Sequence, residues 1–227
     1  MFAKFLPAVL SAVLLGNAAV AAQIEATSSG IFTDPLPSGA IVGGVGTNNM
    51  TWGATTGINS NRIVFTGNAI SSSLDTDFVV GRLTYTNGSS TAGTSAESFK
   101  LNVALDFLSP ALGIQNFIYD FLVSATTNTS DPDASADFLT LPSPLSNTNF
   151  LVGSDHYTLR ILGFDDVIGD GFLTSSASQF HVREEFGASA NLIGRIELDP
   201  RDIPEPSSLA LVGIALAGAL TLRRKQV

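Results

Sequence analysis

The 227-residue sequence contains no cysteine and only two histidines. The missing cysteine excludes a disulfide framework, a thiolate metal site, an iron–sulfur cluster and a Cys nucleophile. Two histidines cannot supply a three-His metal centre from one chain. Charge is scarce as well. Charged residues make up 14%, against about 25% in an ordinary soluble protein. Positive charge is the scarcest: 11 Lys+Arg stand against 20 Asp+Glu, a formal net charge of -9. A general nucleic-acid binder needs a basic face to neutralise phosphates, so that class is excluded. Long Ser/Thr/Asn stretches and 21 glycines exclude a wholly membrane-embedded chain.

What hydrophobicity there is collects at the two ends. Met1 to Ala22 has the layout of a secretory signal peptide. Lys4 supplies the positive start, Leu6 to Leu15 the apolar stretch, and Ala19-Val20-Ala21 the small-x-small pattern for cleavage before Ala22 or Gln23. The apolar stretch is too short and alanine-rich for a permanent anchor.

At the other end, Ile203-Pro204-Glu205-Pro206 precedes Ser207-Ser208, an apolar run Leu209 to Leu222, and Arg223-Arg224-Lys225. A helix over 207–222 would be about 24 Å long, slightly short of a hydrocarbon core of about 30 Å. Local thinning and basic side chains reaching the headgroups accommodate such a mismatch. The Arg223/Arg224/Lys225 cluster keeps the C-terminus cytoplasmic and the main domain outside. A buried amphipathic helix does not fit, because the run is apolar on every face. Pro204 and Pro206 keep the preceding backbone extended and outside any helix or sheet interior.

Pro204-Glu205-Pro206, a short apolar helix and a terminal basic cluster, in that order, resemble the PEP-CTERM sorting tail of Gram-negative, exopolysaccharide-producing bacteria. The resemblance covers Ile203 to Gln226. It implies processing by exosortase, a membrane enzyme acting at or near the tripeptide. Pro204, Glu205 and Pro206 would then be recognition residues, and the helix a transient membrane anchor.

Between the ends, Gln23 to Ile203 carries seven positive against 19 negative residues. Such acidity favours solubility without defining a site. The patterning is β throughout. Phe99, Leu101, Val103, Leu105 and Phe107 alternate with mostly polar residues, as on a half-buried strand. Phe117, Tyr119, Phe121 and Val123 repeat the pattern, and so do Tyr157, Leu159 and Ile161. Weaker strands are expected over 62–66, 78–86, 136–141, 180–184 and 192–198. About eight short strands with Gly/Asn/Ser/Pro breaks predict an all-β fold with a single antiparallel β-sandwich and one core. The expected organisation is a signal peptide over 1–22, a sandwich over 23–199, and a sorting signal over 200–227 that includes the 207–222 helix.

Gly30-Ile31-Phe32, Gly44-Val45-Gly46-Thr47-Asn48, Thr51-Trp52-Gly53, Phe65-Thr66-Gly67 and Gly81-Arg82-Leu83-Thr84-Tyr85-Thr86-Asn87-Gly88 together resemble the choice-of-anchor K domain. Tyr157 to Phe164 and Phe180 to Ile196, with Glu184 or Glu185, extend the resemblance to about Leu198. It implies a bacterial surface protein, and it carries no catalytic residue over.

Candidate chemistry is thin. Asp165, Asp166 and Asp170 form the densest acidic stretch, expected to be a loop that could offer oxygen ligands to Ca²⁺. Its spacing is not that of an EF-hand. Asp131, Asp133 and Asp137 form a looser set. Solvated turns, where Asp bonds to nearby backbone, explain both more readily. His156 and His181 lack any G-x-S-x-G nucleophile elbow. Adjacent Glu184 and Glu185 would face opposite sides of a strand and so cannot act as a pair. Gly43-Gly44-Val45-Gly46 lacks the Lys-Ser/Thr of a phosphate-binding loop. Trp52, Tyr85, Tyr119 and Tyr157 could stack sugars if exposed, and would otherwise be core. The expectation is a non-catalytic, exported cell-surface or matrix protein without a cofactor. An exopolysaccharide-binding module, aided by Ca²⁺ or not, is the alternative.

Overall fold

The computed structural model describes residues 23–142, 147–152 and 155–198. The expected signal peptide, the Pro204-Glu205-Pro206 motif, the expected 207–222 helix and the Arg223/Arg224/Lys225 cluster lie outside the described residues. Those residues form fourteen strands and no helix.

Seven strands make one antiparallel sheet. Its order is β12 (Phe172–Ser176), β13 (Gln179–Val182), β9 (Asp137–Thr140), β8 (Gly113–Ser124), β7 (Ser98–Ser109), β1 (Gln23–Leu36) and β5 (Ala69–Ser73). The second sheet runs β10 (Asn147–Val152), β11 (Asp155–Ile168), β14 (Gly187–Leu198), β6 (Asp77–Thr86), β4 (Asn61–Gly67), β3 (Asn49–Trp52) and β2 (Val42–Gly43). Long strands alternate buried and exposed residues, because successive side chains leave a strand on opposite faces. The two inner faces meet in one continuous core.

Aromatic rings join the sheets. Trp52 of β3 packs on Phe99 of β7 at 5.6 Å between centroids. Phe164 of β11 meets Phe180 of β13 edge-on at 4.9 Å. Phe65 of β4 fills a slot made by two glycines, one from each sheet. A Cβ on Gly30 would sit 2.7 Å from its ring, and one on Gly81 would overlap it.

The expected sandwich is therefore present, with more strands than expected. All eight anticipated strands are there. Six further strands, β1, β2, β3, β5, β10 and β12, carry too little period-two apolar signal to announce themselves. The acidic stretch expected as a loop is a correction. β11 continues through Asp165 and Asp166 to Ile168, absorbing its irregular pattern in a register shift between Asp165 and Ile168. Glu184 and Glu185 are a second correction. They do not occupy a strand but the turn between β13 and β14, closed by the Phe186 N–H donating to Arg183 O at 3.2 Å.

The register gives the sandwich two distinct poles. At one, Gln23 pairs with Ser73, Glu25 with Ser109 and Tyr157 with Leu198, and Asp75 N–H donates to Ile196 O. Both ends of the described chain leave from this exit pole. At the other, Leu36 pairs with Ser98, Ser98 with Leu122, Thr86 with Gly187, and Val182 with Asp137. β7 and β8, twelve residues each, separate the poles by about 40 Å.

Candidate functional site

Polar side chains gather at the pole away from the chain ends. The strands stop there, and their last backbone groups need partners that a ladder no longer supplies. Asn87, at the end of β6, is wholly buried. Its Nδ2 donates to Val182 O at 2.9 Å, which links the sheets. Its own N–H donates to Phe186 O. Asn61 Oδ1 accepts from the Gly88 N–H at 3.1 Å.

The Glu184–Glu185 turn closes over this region. Glu185 has φ +63 and turns its carboxylate inward. Oε2 accepts from the N–H groups of Asn59 (2.6 Å) and Ile58 (3.1 Å), and Oε1 accepts from Ser89 N–H at 3.0 Å. Burial pushes this carboxyl up, but the hydrogen bonds from Ser89, Asn59 and Ile58 outweigh it, and it ends below the usual carboxylate range. Glu184 is only 5% exposed. Ser89 Oγ donates to its Oε1, and its buried Oε2 has no hydrogen-bond partner. Burial holds the Glu184 carboxyl above its ordinary value, helped by the Glu185 charge and opposed by Ser89.

Asp137, first residue of β9, is 6% exposed. Its Oδ1 accepts from Thr126 N–H at 2.7 Å and from Thr126 Oγ1 at 3.3 Å. Burial lifts its pKa from 3.8 to about 6, with the Glu184 charge adding and the Thr126 bonds subtracting. The buried Tyr85 hydroxyl donates to Asn87 Oδ1 at 3.4 Å. Its pKa is raised well above normal by burial and by the Asp137 and Glu184 charges.

Beside this network opens a cleft of about 620 Å³. One wall is the 88–97 segment and another is 125–128, with Asp137, Asn61 and Trp52 deeper in. The 88–97 wall is firmly tied. Thr55 bridges Ser90, Thr91 N–H donates to Ala54 O, and Ile41 N–H donates to Thr94 O. Ser90 and Ser95 share a 2.7 Å hydroxyl contact.

The sequence-derived candidates fall elsewhere or change character. Trp52, Tyr85 and Tyr119 are buried, so none of the three is an exposed sugar platform. Tyr157 is half-buried and stacks on Phe150 at 5.7 Å. Asp165, Asp166 and Asp170 are exposed. Asp166 pairs with Arg82 at 3.3 Å. Among the described residues no group of three His, Cys, Asp or Glu is placed to hold a metal ion. Of the looser set, only Asp137 enters the cleft. Asp133 pairs with Arg183 and Asp131 Oδ1 caps the Asp133 N–H. His181 stacks on Phe138 at 3.9 Å, and its Nε2 donates to Ala136 O. The 43–46 glycine run is a turn whose amides are in use: Gly46 N–H donates to Phe32 O and Thr47 N–H to Gly44 O.

Residues 202–225 match the PEP-CTERM protein-sorting motif. The tail is a PEP-CTERM sorting signal. It supports export, C-terminal anchoring and sorting by exosortase. The PEP-CTERM match spans the tail, whereas the cleft and its network lie in the sandwich. No curated protein matches the chain.

Proposed function

We propose that this is an exported cell-surface or extracellular-matrix protein with a non-catalytic structural or adhesive role. Met1 to Ala22 act as the signal peptide. The sandwich is of the choice-of-anchor K type. The 207–222 helix holds the precursor in the inner membrane, with Arg223, Arg224 and Lys225 on the cytoplasmic side. Exosortase then cuts at or near Pro204-Glu205-Pro206 and frees the domain.

The observation that carries this reading is polarity. Leu198, the last described residue before the tail, lies at one end of the sandwich, and the polar cleft opens at the other. The test is the intact mass of the protein recovered from native cells, fraction by fraction. A mass lacking both the leader and everything beyond the tripeptide, found outside the inner membrane, is expected. A mass retaining Leu209 to Val227 in the inner membrane would make the tail a permanent anchor and overturn release.

The cleft favours a second reading, in which the sandwich is an exopolysaccharide-binding module. Its size lies within the range of about 300–1,000 Å³ typical of ligand sites. Asp165, Asp166 and Asp170, the residues considered for Ca²⁺, do not line the cleft.

A further inference from the structure

The cleft has a definite chemical character. Asp137 and Glu97 are the ionisable groups among its described lining residues, and no Lys, Arg or His joins them. A phosphate, sulfate or uronate ligand needs charge-assisted donors, which Arg and Lys supply. Here such a ligand would meet two carboxylates and no cation. A ligand rich in hydroxyl donors meets the opposite situation. Carboxylates accept hydrogen bonds from hydroxyls, and such charge-assisted bonds are roughly twice as strong as neutral ones.

The remaining walls suit the same ligand. Ser95, Thr127 and Asn128 offer groups that both donate and accept, matching sugar hydroxyls in either sense. Trp52 and Val123 provide apolar surface deeper in. Trp52 packs on Tyr85 and Phe99, so its face is not a stacking platform. The 88–97 wall is already hydrogen-bonded to the 54–55 and 41 backbone. Binding therefore need not order that loop, which removes one of the usual costs of association.

We propose that this cleft binds a saccharide that carries no negative charge, through hydroxyl-to-carboxylate hydrogen bonds at Asp137 and Glu97 and polar contacts along 95 and 126–128. The proposal rests on the exopolysaccharide-binding reading and narrows it to one place and one charge class. It also places the bound chain at the pole opposite Leu198.

The test uses the full-length protein in mild detergent and affinity electrophoresis against two sets of polymers. One set is neutral (α-glucan, β-glucan, mannan, galactan) and the other is polyuronate. Retardation by at least one neutral polymer and none by polyuronate is expected. Ala92→Trp, at the exposed mouth of the cleft, should weaken neutral binding at least tenfold. Asn128→Ala and Glu97→Gln should weaken it severalfold, and they guard against misfolding of the tryptophan variant. Asp166→Asn, outside the cleft, should bind like wild type. Neutral binding that all three cleft variants leave intact would overturn the cleft assignment and keep the binding reading. Preferential polyuronate binding would overturn the charge argument alone. Failure of every polymer would overturn both.

Discussion

Asn59 grips Glu185 twice across 126 positions of sequence: Asn59 N–H donates to Glu185 Oε2 at 2.6 Å, and Asn59 Nδ2 donates to Glu185 O at 2.8 Å. With Ile58 and Ser89 added, one carboxylate serves three backbone N–H groups from two loops. Glu185→Ala strands all three donors, and each unsatisfied buried group costs about 1–3 kcal/mol, less where water can enter. A net loss of about 2 kcal/mol is expected in urea unfolding, with Glu185→Gln losing less. An unchanged urea midpoint for Glu185→Ala would mean the loops are held by other contacts.

The three carboxyls of this pole give opposed pH dependences. Asp137 and Glu184 have raised folded values, so ionising them is harder in the fold than in the unfolded chain. Their cost is absent below the ordinary carboxylate range and grows as pH rises through it; for Asp137 it grows up to about pH 6 and is then constant. Glu185 has a lowered folded value, so its contribution is present above the ordinary range and is lost as pH falls below it. Thermal stability should therefore be highest near the ordinary carboxylate range, about pH 4, decline as pH rises to about 6 and level off above that. Asp137 alone accounts for up to about 3 kcal/mol of that decline. Asp137→Asn should flatten the slope between about pH 4 and 6, read as melting temperature against pH. A wild-type slope in that variant would place the titrating group elsewhere.

Phe65 leaves no room beside it. Gly81→Ala would drive a methyl into its ring and towards Thr66 O, 2.8 Å away. Overpacking of this kind costs about 1–3 kcal/mol. The variant should show a lower urea midpoint with an unchanged slope. Gly30→Ala presses on the same ring from the other sheet, so the pair should be non-additive.

Asp166 is committed to Arg82, which also reaches Asn191 Oδ1 at 2.9 Å. Millimolar Ca²⁺ and excess EDTA should therefore give the same melting temperature. Asp166→Asn should cost no more than about 0.5 kcal/mol, as expected for an exposed ion pair. A rise of several degrees with Ca²⁺, abolished in Asp166→Asn, would restore the acidic stretch as a metal site.

Strands with large alternating apolar residues were legible in the sequence. Phe99 to Phe107 locates β7 to within two residues at each end. β1 was not legible, although it is one of the longest strands. Its inward positions are Ile24, Ala26, Gly30 and Phe32, and Gly30 is small because Phe65 projects from the opposite sheet into its space. A pattern set by a partner 35 positions away has no local signature. The candidate site was hidden for a related reason. Asn87-Gly88 reads as a flexible turn, yet Asn87 is buried by bonds to Ser135 and Val182, 48 and 95 positions on. Asp137 looked like one of several loop aspartates, and its environment comes from Tyr85, Thr126 and Glu184 together.

The placement of the chain ends also has a mechanical consequence. Leu198, the last described residue, ends β14, which is flanked on both sides by β11 and β6. In the proposed precursor, before exosortase cuts the tail, tension between a polymer gripped at the far pole and the membrane-held tail would run parallel to that strand. Its ladder bonds to both neighbours would then be sheared together instead of being peeled apart in turn. A sheet loaded this way yields only when many bonds fail at once, a suitable property for a domain tethered at one end and pulled from the other.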